Sequence, residues 1–272
     1  MGSTAFDRRD ALRAAAALAI AVPLAGCTTQ TGDWHGAGAS PAGPSPVDSA
    51  STRAGGASPS SGPGSPSAAA LSLPPEVVHG PTDRSAVALT FHGQGDVAMA
   101  GALLTELENG GARATVLAVG SWLQANPSMA RRILDGGHEL GNHTQNHDDI
   151  KAMSADAAFT EINACAEVLR SLTGSIGTWF RPSQTQYSTA GIRAQATRVG
   201  YRTCLSYDLD SLDYTDPGSP TVVGNVVGAV KKGSIVSLHF GHAGTVTAIP
   251  QILANLDRLG LRAVTMTELM AP

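Results

Sequence analysis

Apolar positions along the chain change period several times after about residue 75. Residues 85–91 (SAVALTF) form a continuous apolar run of strand length, and residues 97–107 carry apolar side chains at helical spacing. Residues 113–119 (RATVLAV) are again strand-like, and residues 127–134 are helical behind Asn126. Ser154, with Asp156 behind it, opens a helix whose apolar face is Ala158, Ile162, Cys165, Ala166 and Leu169. Residues 203–207, 234–238 and 263–265 supply later strands, with helices from about Ser188, Pro220 and Thr247 between them. Strands alternating with helices predict an α/β domain built on a parallel sheet, open or closed as a barrel. Ligands of such folds bind beyond the C-terminal ends of the strands.

The first third of the chain has no such pattern. An apolar stretch at residues 14–24 follows Arg8-Arg9 and is too short to cross a hydrocarbon core roughly 30 Å thick, so residues 1–26 read as an export signal, of general secretory or twin-arginine type. Leu24-Ala25-Gly26-Cys27 resembles the bacterial lipobox, which makes Cys27 the lipidation site and a lipid anchor the link to the membrane. Between residues 39 and 70 nearly every residue is Ala, Gly, Ser, Pro or Thr, so residues 27–75 read as a linker with too few large side chains to order it. Much of the surplus in 31 Gly and 16 Pro lies there, leaving residues 76–272 as one folded domain, expected to be monomeric. It is expected outside the cell, at the outer face of the cytoplasmic membrane or in the wall. A formal net charge of -4 removes the basic footprint of a non-specific nucleic-acid binder.

Ionisable residues gather at the ends of the strand-like runs. His92 follows the first, and His143 and His147 follow His138-Glu139-Leu140. Arg181 follows Trp179-Phe180, Asp210 and Asp213 follow the run at 203–207, and His239 follows the run at 234–238. Five strands that deliver such groups to one face have the layout of an active site. Cys165 and Cys204 form either a disulfide of an exported domain or two buried thiols.

His143-Thr144-Gln145-Asn146-His147 is the most specific segment, since two imidazoles four residues apart can meet one metal ion. Together with Thr90-Phe91, Arg181-Pro182, Asp210-Ser211-Leu212-Asp213-Tyr214 and Ser237-Leu238-His239, in this order, it resembles the NodB-type polysaccharide deacetylases, carbohydrate esterase family 4. The resemblance implies a distorted or incomplete (β/α) barrel of parallel strands and a metal-dependent hydrolase that removes acetyl groups from N-acetylated cell-envelope polysaccharide. It implies His143 and His147 as ligands of a divalent metal, zinc or else cobalt, nickel or manganese. It also implies Arg181 as the residue that orients the catalytic base, the backbone amide of Gln184 as an oxyanion donor, Asp213 as the partner of His239, and His239 as the general acid. Trp179 and Tyr214 are expected to wall the sugar pocket, with Tyr187 a further candidate; Phe91, Phe180 and Phe240 read as core.

The first motif departs from the family's Thr-Phe-Asp-Asp-Gly, which supplies the base and the third metal ligand. Here the chain reads Thr90-Phe91-His92-Gly93-Gln94-Gly95-Asp96. One reading makes His92 the base and Asp96 the third metal ligand, reached through a glycine-rich turn; a variant makes His92 the third ligand. The alternative is a catalytically impaired homologue that binds glycan without hydrolysing it. Ser237, where the family usually has leucine, and Ser183-Gln184-Thr185, in place of Pro-Tyr-Gly, are smaller departures.

Overall fold

A computed structural model describes residues 73–272. The export signal expected at residues 1–26, the expected lipidation site Cys27 and the expected linker as far as residue 72 lie outside the described residues. The chain runs through β1 (Glu76–Val77), β2 (Ala86–Gly93), α1 (Val97–Asn109), β3 (Thr115–Ala118), α2 (Gly120–Ala125), α3 (Ser128–Asp135), β4 (Glu139–Asn142) and α4 (Ala155–Thr173). It continues through α5 (Ala190–Val199), β5 (Cys204–Leu205), β6 (Leu209–Asp210), α6 (Ser219–Val227), β7 (Ile235–His239), α7 (Ala243–Arg258), β8 (Arg262–Val264) and α8 (Met266–Leu269). Helix starts follow their capping residues. Ser154 Oγ accepts the N–H of Ala157 at the head of α4, and Thr189 Oγ1 accepts that of Ile192 at the head of α5. α4 stops at Gly174, whose left-handed φ of 80° a side chain would strain.

Every strand pairing is parallel. The main sheet runs β4-β3-β2-β7-β6, with β8 beside the first half of β2 and β3 beside the second. Single bridges from Asn142 to Phe180 and from Phe180 to Cys204 carry the pairing on to β5, which pairs with β1. The result is the irregular, incomplete barrel of parallel strands that the resemblance implied. Alternation along the strands sorts the side chains. Val87, Leu89, Phe91, Val116, Val236 and Leu238 pack with the apolar faces of α1 and α7, while Ala86, Ala88, Leu117, Leu205 and Ile235 pack together with Val264, Met266 and Leu269. Thr90, His92, Ser237 and His239 continue this second, inward series toward the strand ends.

Several details differ from the sequence reading. Helix α2 was not foreseen, and α7 starts four residues before Thr247, at Ala243. The strand expected at residues 203–207 is reduced to β5 at Cys204–Leu205, and a separate short strand, β6, follows at Leu209–Asp210. Trp179 is core rather than pocket wall: it is buried in the inward cluster, and its indole N–H donates to Thr267 Oγ1 at 3.1 Å. Phe91, Phe180 and Phe240 are core as expected. Cys165 and Cys204 are free buried thiols in separate clusters, and burial pushes their pKa values up to about 12 and about 11.

A close backbone approach near the site involves Gly141. A Cβ there would lie 2.6 Å from the Trp179 carbonyl oxygen and 2.7 Å from Leu117 Cδ1. Gly141→Ala is therefore expected to destabilise the domain by about 1–3 kcal/mol, read as a lower denaturant midpoint. An unchanged midpoint would show that β4 and the Trp179 segment separate freely.

Candidate active site

The register of two parallel strands starts the site. β2 and β7 place Thr90 beside Ser237 and His92 beside His239, and the two imidazoles stack at 4.2 Å between centroids with 15° between planes. On the other side of β2, β3 and β4 lead to Asn142 and then His143, which is fully buried. His147 reaches His143 from a loop, not from a helical turn. Thr144 and His147 adopt left-handed φ values of 67° and 62°, and the ring centroids of His143 and His147 lie 4.8 Å apart. For residues other than glycine, such a conformation costs about 1–2 kcal/mol each and persists only where the surroundings hold it. Glu161 of α4 does much of that holding: its carboxylate accepts the backbone N–H groups of Gln145 and Asn146 and the side-chain amide of Asn146. The sequence reading passed over Glu161; its signal was an acid on the apolar face of α4.

The hydrogen bonds have a direction that their ends dictate. The carbonyl of Arg181 can only accept, so His143 Nδ1–H donates to it at 2.9 Å. His143 Nε2 then carries the lone pair and accepts from His92 Nδ1–H at 2.8 Å. His92 Nε2 in turn accepts from the Ser237 hydroxyl at 3.1 Å and faces Arg181 Nη1 at 3.4 Å. Both imidazoles are neutral in this arrangement. Burial lowers the pKa of each well below the ordinary histidine value, helped for His92 by the neighbouring histidines and Arg181. Arg181 is itself completely buried. It donates to Leu205 O, Ser206 O and Thr90 Oγ1, and its guanidinium lies 5.3 Å from the Tyr207 ring centroid. Burial lowers its pKa to about 10, so it stays charged at neutral pH.

His239 faces this cluster with its own support. Its Nδ1–H donates to Asp213 Oδ1 at 2.7 Å, and Asp213 Oδ2 accepts the backbone N–H of His239 and the Thr245 hydroxyl. Burial alone would raise the Asp213 pKa, but the hydrogen bonds and the charge of His239 together outweigh it and hold the carboxyl below its usual range. A cleft of about 380 Å³ opens over these groups, lined by His92, His147, His239, Gln184, Tyr207, Asp210 and Tyr214, among others. Gln184 and Tyr214 both line this cleft. Tyr207 was missed because it sits between two short strands with no motif of its own. Tyr187 is exposed and does not line the cleft. His242, three residues beyond His239, pairs with Asp216.

Asp96 is not where it was expected. Its carboxylate accepts the Met99 N–H at 2.9 Å as the N-cap of α1, on the exposed surface, and the place beside His143 and His147 is taken by His92. The donor set fits a divalent metal. One nitrogen from each of His92, His143 and His147 lies within 4.8 Å of the others, which is the three-imidazole set of zinc sites that keep an open fourth position.

Known proteins share this sequence pattern and fold. The polysaccharide deacetylase family profile matches residues 79–204. A peptidoglycan-N-acetylglucosamine deacetylase of Bacillus cereus is 32% identical over 194 residues, which span 70% of this chain and 90% of the relative. The crystal structure of the Bc1960 peptidoglycan N-acetylglucosamine deacetylase, bound to an N-hydroxybenzamide compound, aligns with a TM-score of 0.67 at 25% identity, covering 71% of this chain and 91% of that one. BA3943, a pseudoenzyme of carbohydrate esterase family 4 from Bacillus anthracis, aligns with a TM-score of 0.68 at 22% identity, covering 72% and 69%; that likeness concerns the fold.

The buried imidazoles make the stability of the metal-free protein depend on pH. Their folded pKa values are lowered, so below the ordinary value of 6.5 the unfolded chain binds more protons than the folded one. Their contribution is constant above that value and is lost as pH falls below it. The denaturant midpoint of metal-free protein should drop as pH goes from about 7.5 to about 5, and His143→Asn should flatten the drop. Equal slopes for the two proteins would show that His143 is not held neutral.

Proposed function

The chain belongs to the polysaccharide deacetylase family, and on that premise we propose that it hydrolyses the acetamide of N-acetylated cell-wall glycan, with peptidoglycan N-acetylglucosamine as the substrate class. The observation that carries the reading is the set of three imidazoles, two of which, His92 and His147, line one cleft together with the Asp213-held His239. His92, His143 and His147 would hold the metal, zinc or cobalt, nickel or manganese in its place. Bound there, it would supply a Lewis acid for the acetamide carbonyl and the attacking water.

The remaining steps belong to the chain. Asp213 occupies His239 Nδ1–H, which leaves Nε2 as the free nitrogen of that ring. Nε2 takes the proton from water as the water oxygen bonds to the carbonyl carbon. It returns that proton to the nitrogen as the carbon–nitrogen bond breaks, giving acetic acid and the amine, and the acid's remaining proton passes to the amine so that acetate and an ammonium group leave. In this reading His92 is a ligand rather than the base, and Asp96, which caps α1, takes no part. Gln184, in a left-handed conformation at the cleft, offers a backbone N–H to the carbonyl oxygen. Tyr214, half exposed and edge-on to His239 at 5.2 Å, gives a flat face for a sugar ring. The Arg8-Arg9 signal and Cys27 support action outside the cell, on a lipid anchor at the outer face of the membrane.

Acetate release from N-acetylated peptidoglycan or chitooligosaccharide, with each metal supplied in turn, tests the proposal. The native protein should turn over, His143→Ala should fall to background, and His239→Ala should lose roughly 10²–10⁴-fold in kcat. If native protein and His143→Ala release equally little acetate with every metal and substrate, the chain is a glycan-binding homologue.

A further inference from the structure

Ser237 faces His92 from the neighbouring strand, with its hydroxyl 3.1 Å from Nε2 and the residue 1% exposed. In the metal-free chain that nitrogen is an acceptor, because His92 spends its one proton on His143 Nε2. The nitrogen nearest the other two histidines is therefore capped by hydrogen. For His92 to become a ligand, Nδ1 must offer its lone pair, so a neutral ring must carry its proton on Nε2 instead. One proton leaves Nδ1 and one arrives at Nε2, with no change in charge.

The Nε2–H then needs an acceptor in a buried place. Arg181 Nη1 cannot accept. The Thr90 hydroxyl is committed, donating to Val236 O at 2.6 Å and accepting from Arg181 Nη2 at 2.8 Å. Ser237 Oγ is already in place, and a hydroxyl can donate in one state and accept in the other by rotating its hydrogen. We propose that Ser237 is a positioning residue that lets His92 serve as the third metal ligand in place of the missing carboxylate, by matching both ring tautomers. The inference rests on the reading of the three histidines as a metal site, and it deepens that reading.

The test compares two side chains of nearly equal shape, Ser237→Thr and Ser237→Val, in the full-length chain. Zinc affinity is measured by competition with a chromophoric chelator, and ¹⁵N spectra of the imidazoles report the tautomer of His92 with and without zinc. The threonine variant should bind zinc much as the native chain does, and the valine variant about 10–100-fold more weakly, the usual cost of losing a partner of a ligating histidine. In native protein, zinc should move the His92 proton from Nδ1 to Nε2. Equal affinity for the two variants, or His92 remaining Nδ1–H with zinc bound, overturns the role of Ser237 and leaves the metal site standing. A native chain that binds no zinc overturns both. Weakened binding in the valine variant of a chain that releases no acetate keeps the inference and removes the hydrolase reading.

Discussion

The buried guanidinium of Arg181 is the constraint around which the site is assembled. Among the described residues no carboxylate forms an ion pair with it; its charge is met by two backbone carbonyls, a hydroxyl and the Tyr207 ring. A charge out of water is costly unless hydrogen bonds replace its hydration, so these contacts are obligatory. They tie the end of β5 to β2. The backbone of the same residue ties both to β4, since Arg181 N–H donates to Asn142 O while Arg181 O orients His143. One residue, through its side chain and its backbone together, thereby sets the spacing of three strands and the tautomer of the central imidazole.

That cation also shapes the electrostatics. Four imidazoles and a guanidinium cluster here, and Asp213, a buried carboxylate, stands behind His239. Burial first of all disfavours a charged ring here, and the like charges of the neighbouring histidines and of Arg181 add to it, so His92 and His143 stay neutral. Neutral imidazole is the form that ligates a metal. Deacetylases of the resembling pattern place a carboxylate beside the arginine; here a neutral ring fills the space, so the arginine acts on it as a hydrogen-bond donor at most.

Much of this was legible in the residues. Continuous apolar runs ending in His92 and His239 marked the buried parallel strands, because a strand covered on both faces needs no polar alternation until it leaves the core. The cap at Ser154 and the two histidines of the loop were equally plain. Trp179 was misplaced because its nearness to Arg181 in sequence suggested the pocket. Both belong to the inward face, and only depth along the barrel separates core from site. Asp96 was ambiguous, although an acid three residues before Met99 at the head of an apolar helical pattern is an N-cap signature. Ser237 was legible only as a departure from the family's leucine, since its contact with His92 depends on the register between β2 and β7.

The departures in the first motif belong together. A site that had merely lost its carboxylates would leave buried donors and acceptors without partners. Yet among the described residues, none of the unpartnered buried side-chain atoms belongs to His92, His143, Arg181, Asp213 or Ser237. Gly93 lies against β3, where a Cβ would come within 2.7 Å of Val116 Cγ1 and 3.1 Å of Ala118 Cα, so an aspartate there has no room on this backbone. Gly95 takes φ 116° and would carry a Cβ within 2.8 Å of Gly241 Cα, in the loop that leads from His239 to α7. The loop after β2 has thus been refitted against both its neighbours, and the side chains facing it have changed with it. Restoring two aspartates alone would put carboxylates into a frame already fitted around an imidazole and a hydroxyl, and the first clash would be with the strand that carries the site.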